Sequence, residues 1–263
     1  MKVYIMTDLE GPCHVNRWEQ TRVAEVTPAK QYAMLRLTEE VNAAVEGIRD
    51  VDPAATVVVL DGHGSGGIDA ARFHPQAHLL AHGRGLRSPY GLDETFDAVL
   101  FIGQHAMAGT AAAPLCHTMS SKTVEYYRIN GNDIGEIALF AYTAGALGVP
   151  TVFLSGDDKA CLEASALVPA IGTVATKLGL GIELALHRPV ATVLADIRAG
   201  VADSLRRRGD VPPTVLAGPY HMEARVLPDC NPSGYLARSA DARQLDERTV
   251  ALTSDKLNEL FYS

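Results

Sequence analysis

Lys2-Val-Tyr-Ile-Met-Thr-Asp-Leu-Glu-Gly11 opens the chain, and its reading decides the rest. The β-branched and aromatic residues favour a strand, which runs into Asp8 and Glu10 before Gly11-Pro12 breaks it. Side chains two apart on an extended segment point the same way, so both carboxylates aim at one spot just past the strand's end. Like charges so placed repel, and a bound cation offsets them most simply.

Working outward, Thr27-Pro28 reads as N-cap and first helical position. Tyr32, Leu35, Val41, Val45 and Ile48 then recur at helical spacing, predicting an amphipathic helix to about Asp50, stopped by Asp52-Pro53. Thr56–Leu60 is a continuous apolar run, the pattern of a strand buried on both faces, and it ends in Asp61-Gly-His-Gly64. A short helical piece over Ile68–Phe73 and a loop with Gly83, Gly85 and Gly91 precede the next such run, Ala98–Ile102, which ends in Gly103-Gln-His105. Residues 106–121 are small and polar and read as a long surface loop. Glu125–Asn130 reads as a strand closed by a turn at Asn130-Gly131. A helix from Ile134 to Leu147, closed by Gly148 and Pro150, leads to a strand at Thr151–Leu154 and a helix to Val168.

This alternation predicts an α/β fold with a mostly parallel sheet flanked by helices and right-handed crossovers. Beyond residue 170 the pattern weakens into a less regular α+β part. A strand at Gly172–Thr176, a helix at Pro189–Arg208, strands near Val215 and Val250 and a last short helix are expected there. No composition shift forces a boundary, so residues 1–263 read as a single domain. The region 170–213 is where a subdivision would fall.

The formal charge of −8 and pI near 5.6 argue against nucleic acid or an anionic membrane as partner. The basic run Arg206-Arg207-Arg208 closes a predicted helix, where cations complement the macrodipole. The cysteines (Cys13, Cys116, Cys161, Cys230) form no Cys-x-x-Cys pair, which excludes a thiolate zinc site and a disulfide framework. With no basic-apolar leader and no apolar run of ~18 residues, a cytoplasmic protein is expected.

Ligands of open α/β sheets bind at the carboxyl ends of the strands. Three predicted strands end there in metal-capable groups: Asp8 with Glu10, His63, and His105. Either histidine alone is an ordinary turn residue; together with the acid pair they point to a metal. Glu136 is the best further carboxylate, in the first turn of a helix whose dipole also favours it. Oxygen and imidazole donors without thiolate suit zinc. Three carboxylates with two imidazoles fit two ions sharing a carboxylate, and ions roughly 3.5–4 Å apart suit hydrolysis. His117, in Leu115-Cys-His-Thr-Met119, is the candidate proton-transfer or oxyanion-stabilising group. Cys116 carries no sign of a lowered pKa and is not read as a nucleophile. Gly62-x-Gly64-x-x-Gly67 matches the dinucleotide fingerprint in form only, because no crossover helix follows it. Asp157-Asp158 reads as a helix N-cap before it reads as a contact to a substrate amine.

Thr7-Asp-Leu-Glu-Gly11, Asp61-Gly-His63, Gly103-Gln-His-Ala106, Cys116-His-Thr-Met119 and Ile129-Asn-Gly-x-x-x-Gly-Glu136 occur in the order found in the zinc-dependent D-aminopeptidases of the DppA type, peptidase family M55. Ser155-Gly-Asp-Asp158 also resembles that family. The resemblance covers residues 1–170 by motif and the remainder by length and pattern. It implies two zinc ions per subunit, with Asp8 bridging, Glu10 and His63 completing one site and His105 and Glu136 the other. His117 aligns with the histidine given a catalytic role. It further implies release of N-terminal, D-configured amino acids from short peptides or aminoacyl amides, by a ring-like homo-oligomer such as a decamer. The competing readings are a binuclear metallophosphoesterase, a non-catalytic metal-binding protein and a nucleotide-binding module.

Overall fold

The computed structural model describes residues 1–81 and 88–261. Gly83 and Gly85 of the expected glycine loop lie outside the described residues. In chain order the elements are β1 (Lys2–Thr7), α1 (Pro28–Arg49), β2 (Thr56–Leu60), β3 (His78–Leu80), β4 (Ala98–Gln104), β5 (Val124–Ile129) and β6 (Asn132–Ile134). Next come α2 (Glu136–Ala146), β7 (Thr151–Asp157), α3 (Asp158–Leu167), β8 (Gly172–Gly181), β9 (Leu184–His187) and α4 (Val190–Arg206). The chain finishes with β10 (Tyr220–Val226), α5 (Ser233–Leu236), β11 (Arg243–Gln244), β12 (Thr249–Ser254) and α6 (Leu257–Phe261).

The main sheet runs β3-β2-β1-β4-β7-β8-β9, parallel throughout except for the β8–β9 hairpin. All seven residues of β4 and of β7 are buried, as uninterrupted apolar runs require. From β1 the chain moves to β2 and β3 on one side, then to β4 on the other. The strand order therefore reverses between β1 and β4, which is where open sheets gape. The second sheet, β11-β12-β10-β5-β6, is antiparallel. It covers its own apolar cluster around Tyr127, Ile129, Leu139, Met222 and Leu252.

Thr27 caps α1, its hydroxyl accepting from the Lys30 amide at 3.2 Å. The buried stripe is Ala33, Leu37, Val41, Ala44, Val45 and Ile48, while Tyr32 is largely exposed. The stripe is thus rotated from the one expected at its N-terminal end. Gly47 lets α4 lie directly on α1: a Cβ there would sit 2.4 Å from the Arg198 carbonyl oxygen. Burying each of Leu37, Val41, Val45 and Ile48 contributes about 1.5–3 kcal/mol.

Several expectations are corrected. Residues 68–73 form turns, not a helix, because Asp61 draws the Gly67 amide (2.8 Å) back and closes the loop on itself. The 106–121 segment has no regular structure, but it is not a solvated surface loop, since Ala106, Ala113, Leu115 and Thr118 are buried. The strand expected near Val215 begins at Tyr220 instead, and the one at Gly172–Thr176 extends to Gly181. No helix among the described residues is long and apolar enough to cross a membrane.

Candidate metal centre

The ends of β1 and β4 meet backbone to backbone. The Asp8 amide donates to the Ile102 carbonyl at 3.0 Å and the Gly11 amide to the Gly103 carbonyl at 2.8 Å. A Cβ on Gly11 would sit 2.1 Å from the Gln104 oxygen, and one on Gly103 2.2 Å from the Asp8 oxygen. Gly103 also holds φ +82°, a left-handed conformation that L side chains avoid. These glycines bring Asp8, Glu10 and His105 to one place.

Two groups of potential ligand atoms result, Asp8–Glu10–His63 and His105–His117–Glu136, each with its atoms within 4.8 Å of one another. They are not separate. His105 Nε2 lies 3.1 Å from Asp8 Oδ2 and 3.5 Å from Glu136 Oε1, so Asp8 touches both groups. His63 Nε2 lies 3.4 Å from Glu10 Oε1, and His117 Nε2 3.8 Å from Glu136 Oε1. All six residues expected from the sequence are brought together.

The donor set fits a divalent ion. Asp8 Oδ2, Glu10 Oε2 and His105 Nε2 are buried without a hydrogen-bond partner, and a buried polar atom left unpaired costs about 1–3 kcal/mol. Their other atoms are committed elsewhere: Asp8 Oδ1 accepts from the Leu9 amide at 2.9 Å, and His105 Nδ1 donates to the Ala106 carbonyl at 2.9 Å. His117 Nδ1 likewise donates to the Leu115 carbonyl at 2.9 Å, and Glu136 Oε1 accepts from the Met119 amide at 2.7 Å. With each Nδ1 carrying the proton, the Nε2 lone pairs of His105 and His117 face the cavity in the neutral ring.

Without an ion, the histidines are the cations nearest the acids. Burial and the Glu10 charge push the Asp8 carboxyl up to about 7. Burial also acts to raise Glu10, but His63, with His117 and His105, holds it well below the ordinary carboxylate range. Glu136 is drawn down to about 2 against its burial by His105 and His117. Burial opposes protonation of His63 and His105, yet the facing carboxylates raise His63 to about 9 and His105 well above its usual value. His117 goes the other way: burial and the His105 charge lower it, so it is the neutral imidazole of the set.

Lysines and a glutamate outside the expected set hold these loops. Lys177 is fully buried on β8, and its Nζ donates to the carbonyls of Glu10 (2.6 Å), Pro12 (3.0 Å) and Val15. Lys30 donates to the Ser65 carbonyl (2.7 Å) and hydroxyl (2.9 Å), and that hydroxyl lies 3.2 Å from His63 Nδ1. Glu163 accepts from the Met107 amide at 2.8 Å, two residues past His105. Nothing in their local sequence marks them, because their partners lie 35 to 167 residues away. The His117 loop is held in left-handed turns at Ala112, Leu115 and Met119 (φ +53°, +54° and +62°), backbone strain that the Leu115 amide's bond to the Ile182 carbonyl helps retain. Asp157 caps α3 as expected, accepting from the Lys159 and Ala160 amides. Burial raises the Cys116 thiol, consistent with an inert cysteine.

The centre floors a cavity of about 320 Å³. A solved structure titled as the Zn-dependent D-aminopeptidase DppA from Bacillus subtilis, a self-compartmentalizing protease, superposes with a TM-score of 0.90 at 25% identity, covering 99% of this chain and 94% of that one. The curated D-aminopeptidase of Bacillus subtilis (strain 168) is 33% identical over 182 residues, 67% of this chain and 64% of that protein, so the match spans just under two thirds of the relative. The family profile of the M55 peptidases, described as D-aminopeptidase, matches residues 1–263, and the chain belongs to that family.

Proposed function

We propose that this chain is a zinc aminopeptidase that releases N-terminal D-amino acids from short peptides or aminoacyl amides. It holds two ions per subunit, one by Asp8, Glu10 and His63, the other by His105 and Glu136, with Asp8 shared. The observation that carries the reading is the 3.1 Å approach of Asp8 Oδ2 to His105 Nε2, two buried donors with no hydrogen bond between them. Paired zinc ions, when bound, supply polarisation of the scissile carbonyl and a water acidic enough to react near neutral pH. The protein's part is geometric and acid–base. Lys177 and Lys30 fix the loops carrying Glu10 and His63. His117, neutral and with Nε2 facing the cavity, accepts the proton of the attacking water and returns it to the departing amine. The Trp18 ring edge, 5.9 Å from His117, limits that imidazole's movement.

The same reading takes residues 1–263 as one domain, because α2 sends Ile137, Phe140 and Ala144 into the main core and Leu139 into the second. It takes the chain to assemble into a ring-like homo-oligomer, a decamer on the family resemblance. Leu178, Leu180, Leu184 and Leu186, exposed on the β8–β9 hairpin, support an interface there. Four free cysteines support a cytoplasmic location.

Elemental analysis combined with hydrolysis of paired D- and L-aminoacyl amides, beside a phenyl phosphate ester, tests the proposal. Two zinc ions per chain and preferential cleavage of the D-amide are expected. Full metal occupancy in Glu10→Ala and His63→Ala would defeat the ligand assignment, and phosphate ester cleavage alone would defeat the substrate class.

A further inference from the structure

The cavity over the metal centre has two ends of opposite sign. Its floor carries Asp8, Glu10 and Glu136, and its wall includes Arg22 and Lys122. Arg22 is built into place rather than waving in solvent. Its guanidinium stacks 3.3 Å above the Trp18 ring, Nε donates to the Ser121 hydroxyl at 2.8 Å, and Nη2 donates to the Ser121 carbonyl at 3.1 Å. Nη1 has no protein acceptor, and neither Arg22 nor Lys122 has a carboxylate within ion-pair distance among the described residues. Burial lowers the Arg22 pKa, as for a cation set in a protein wall without a counter-ion. Two unpaired cations facing a small cavity leave an anion missing from the site.

We propose that Arg22 and Lys122 bind the free C-terminal carboxylate of a peptide whose amino end lies at the metal centre, so that the substrates are unblocked di- and tripeptides. This rests on the aminopeptidase reading above and narrows its substrate class. An extended chain spans roughly 3.3–3.6 Å per residue, so two residues reach about 7 Å and three about 10 Å. A sphere of the cavity's volume is about 8.5 Å across, which matches that range. Arginine suits the role because its planar fork presents parallel donors to a carboxylate while its face remains stacked on an aromatic ring. The Ser121 bonds fix the fork's direction before substrate arrives, which lowers the ordering cost of binding.

The test compares D-alanyl-D-alanine with its C-terminal amide, which keeps the scissile bond and loses the charge. The zinc-loaded enzyme is expected to favour the free acid in kcat/KM by about tenfold or more, as a charge-assisted hydrogen bond predicts. Arg22→Gln should bring that acid-to-amide ratio close to one, chiefly through KM. Because Arg22 also braces Trp18, Lys122→Gln provides a second variant without such contacts and should lower the ratio by about threefold. Equal cleavage of acid and amide by the parent enzyme, or a ratio unmoved in both variants, overturns the proposal. Calorimetric titration of the metal-free protein with each peptide separates this failure from that of the hydrolase reading. Tighter binding of the acid, without turnover in the loaded enzyme, would keep the carboxylate site and remove the hydrolase; equal binding would remove the site.

Discussion

Replacing Lys177 by methionine removes the charge from the centre of the fold and keeps most of the stem. In the native protein its Nζ donates to the carbonyls of Glu10, Pro12 and Val15, which pins the segment that carries Glu10. Hydrogen bonds from a charged donor contribute about 1.5–3 kcal/mol each, so three are worth roughly 4.5–9 kcal/mol gross. Against this stands the cost of burying the ammonium. Burial lowers the Lys177 pKa from 10.5 to about 8, an opposing term of about 3.4 kcal/mol. The net loss in the variant is therefore about 1–6 kcal/mol, with about 3 kcal/mol as the central expectation. For a chain of this length that corresponds to a fall in Tm of roughly 6–12 °C. Thermal unfolding of metal-free parent and variant measures it, and zinc titration of the folded variant reads the second consequence, weaker binding at the Glu10 site. A Tm within about 2 °C of the parent, below one kcal/mol on the same scale, would show that the clamp carries no net energy. Unchanged zinc affinity would show that Glu10 is positioned by something else.

Four further outcomes follow from the same coordinates. His117→Ala should lose about 10²–10⁴-fold in kcat while keeping two zinc ions by elemental analysis; loss of one ion would make His117 a ligand, as its place beside His105 and Glu136 allows. Gly103→Ala forces a left-handed alanine, costing about 1–2 kcal/mol, and drives its Cβ onto the Asp8 carbonyl, so denaturant unfolding should show a larger loss than the backbone alone explains. Burial raises the Glu163 carboxyl to about 7, so the native state holds its proton where the unfolded chain has released it, and stability falls as pH rises from about 4.5 to 7. Glu163→Gln should flatten that slope, leaving a variant more stable than the parent at pH 8, by up to roughly 3 kcal/mol, and little changed at pH 4; parallel pH–stability curves would refute it. Leu180→Glu with Leu184→Glu, at positions 52% and 58% exposed, should reduce the mass of the assembly in light scattering without lowering the Tm of the subunit, and an unchanged mass would place the interface elsewhere.

The parallel sheet and the metal centre were legible in the sequence for a shared reason. A strand buried on both faces must be apolar along its length, so the first polar residues after Thr7, Leu60 and Gln104 mark its carboxyl end, and that end is where a ligand sits. The second sheet was hidden because its strands alternate in burial and are short. Tyr220–Val226 carries His221, Glu223 and Arg225 outward, and Asn132–Ile134 has only three residues. The Ile68–Phe73 segment misled because its apolar spacing resembles a helix, while the force shaping it is the Asp61 side chain bonding forward to Gly67. Lys177 and Glu163 were invisible for a different reason, since a buried charge is explained only by partners supplied in three dimensions.

Where β1 and β4 touch, glycine faces main chain and no side chain intervenes. The spacing of the donors at Asp8, Glu10 and His105 is therefore set by the hydrogen-bond ladder of the sheet, whereas the opposite wall of the cavity is made of segments 18–22 and 117–122, outside any strand. Reaction chemistry and substrate choice thus reside in materials of different stiffness. A mutational search for new peptide preferences can rework the loops freely, and the catalytic core should tolerate it as a chassis tolerates a change of bodywork.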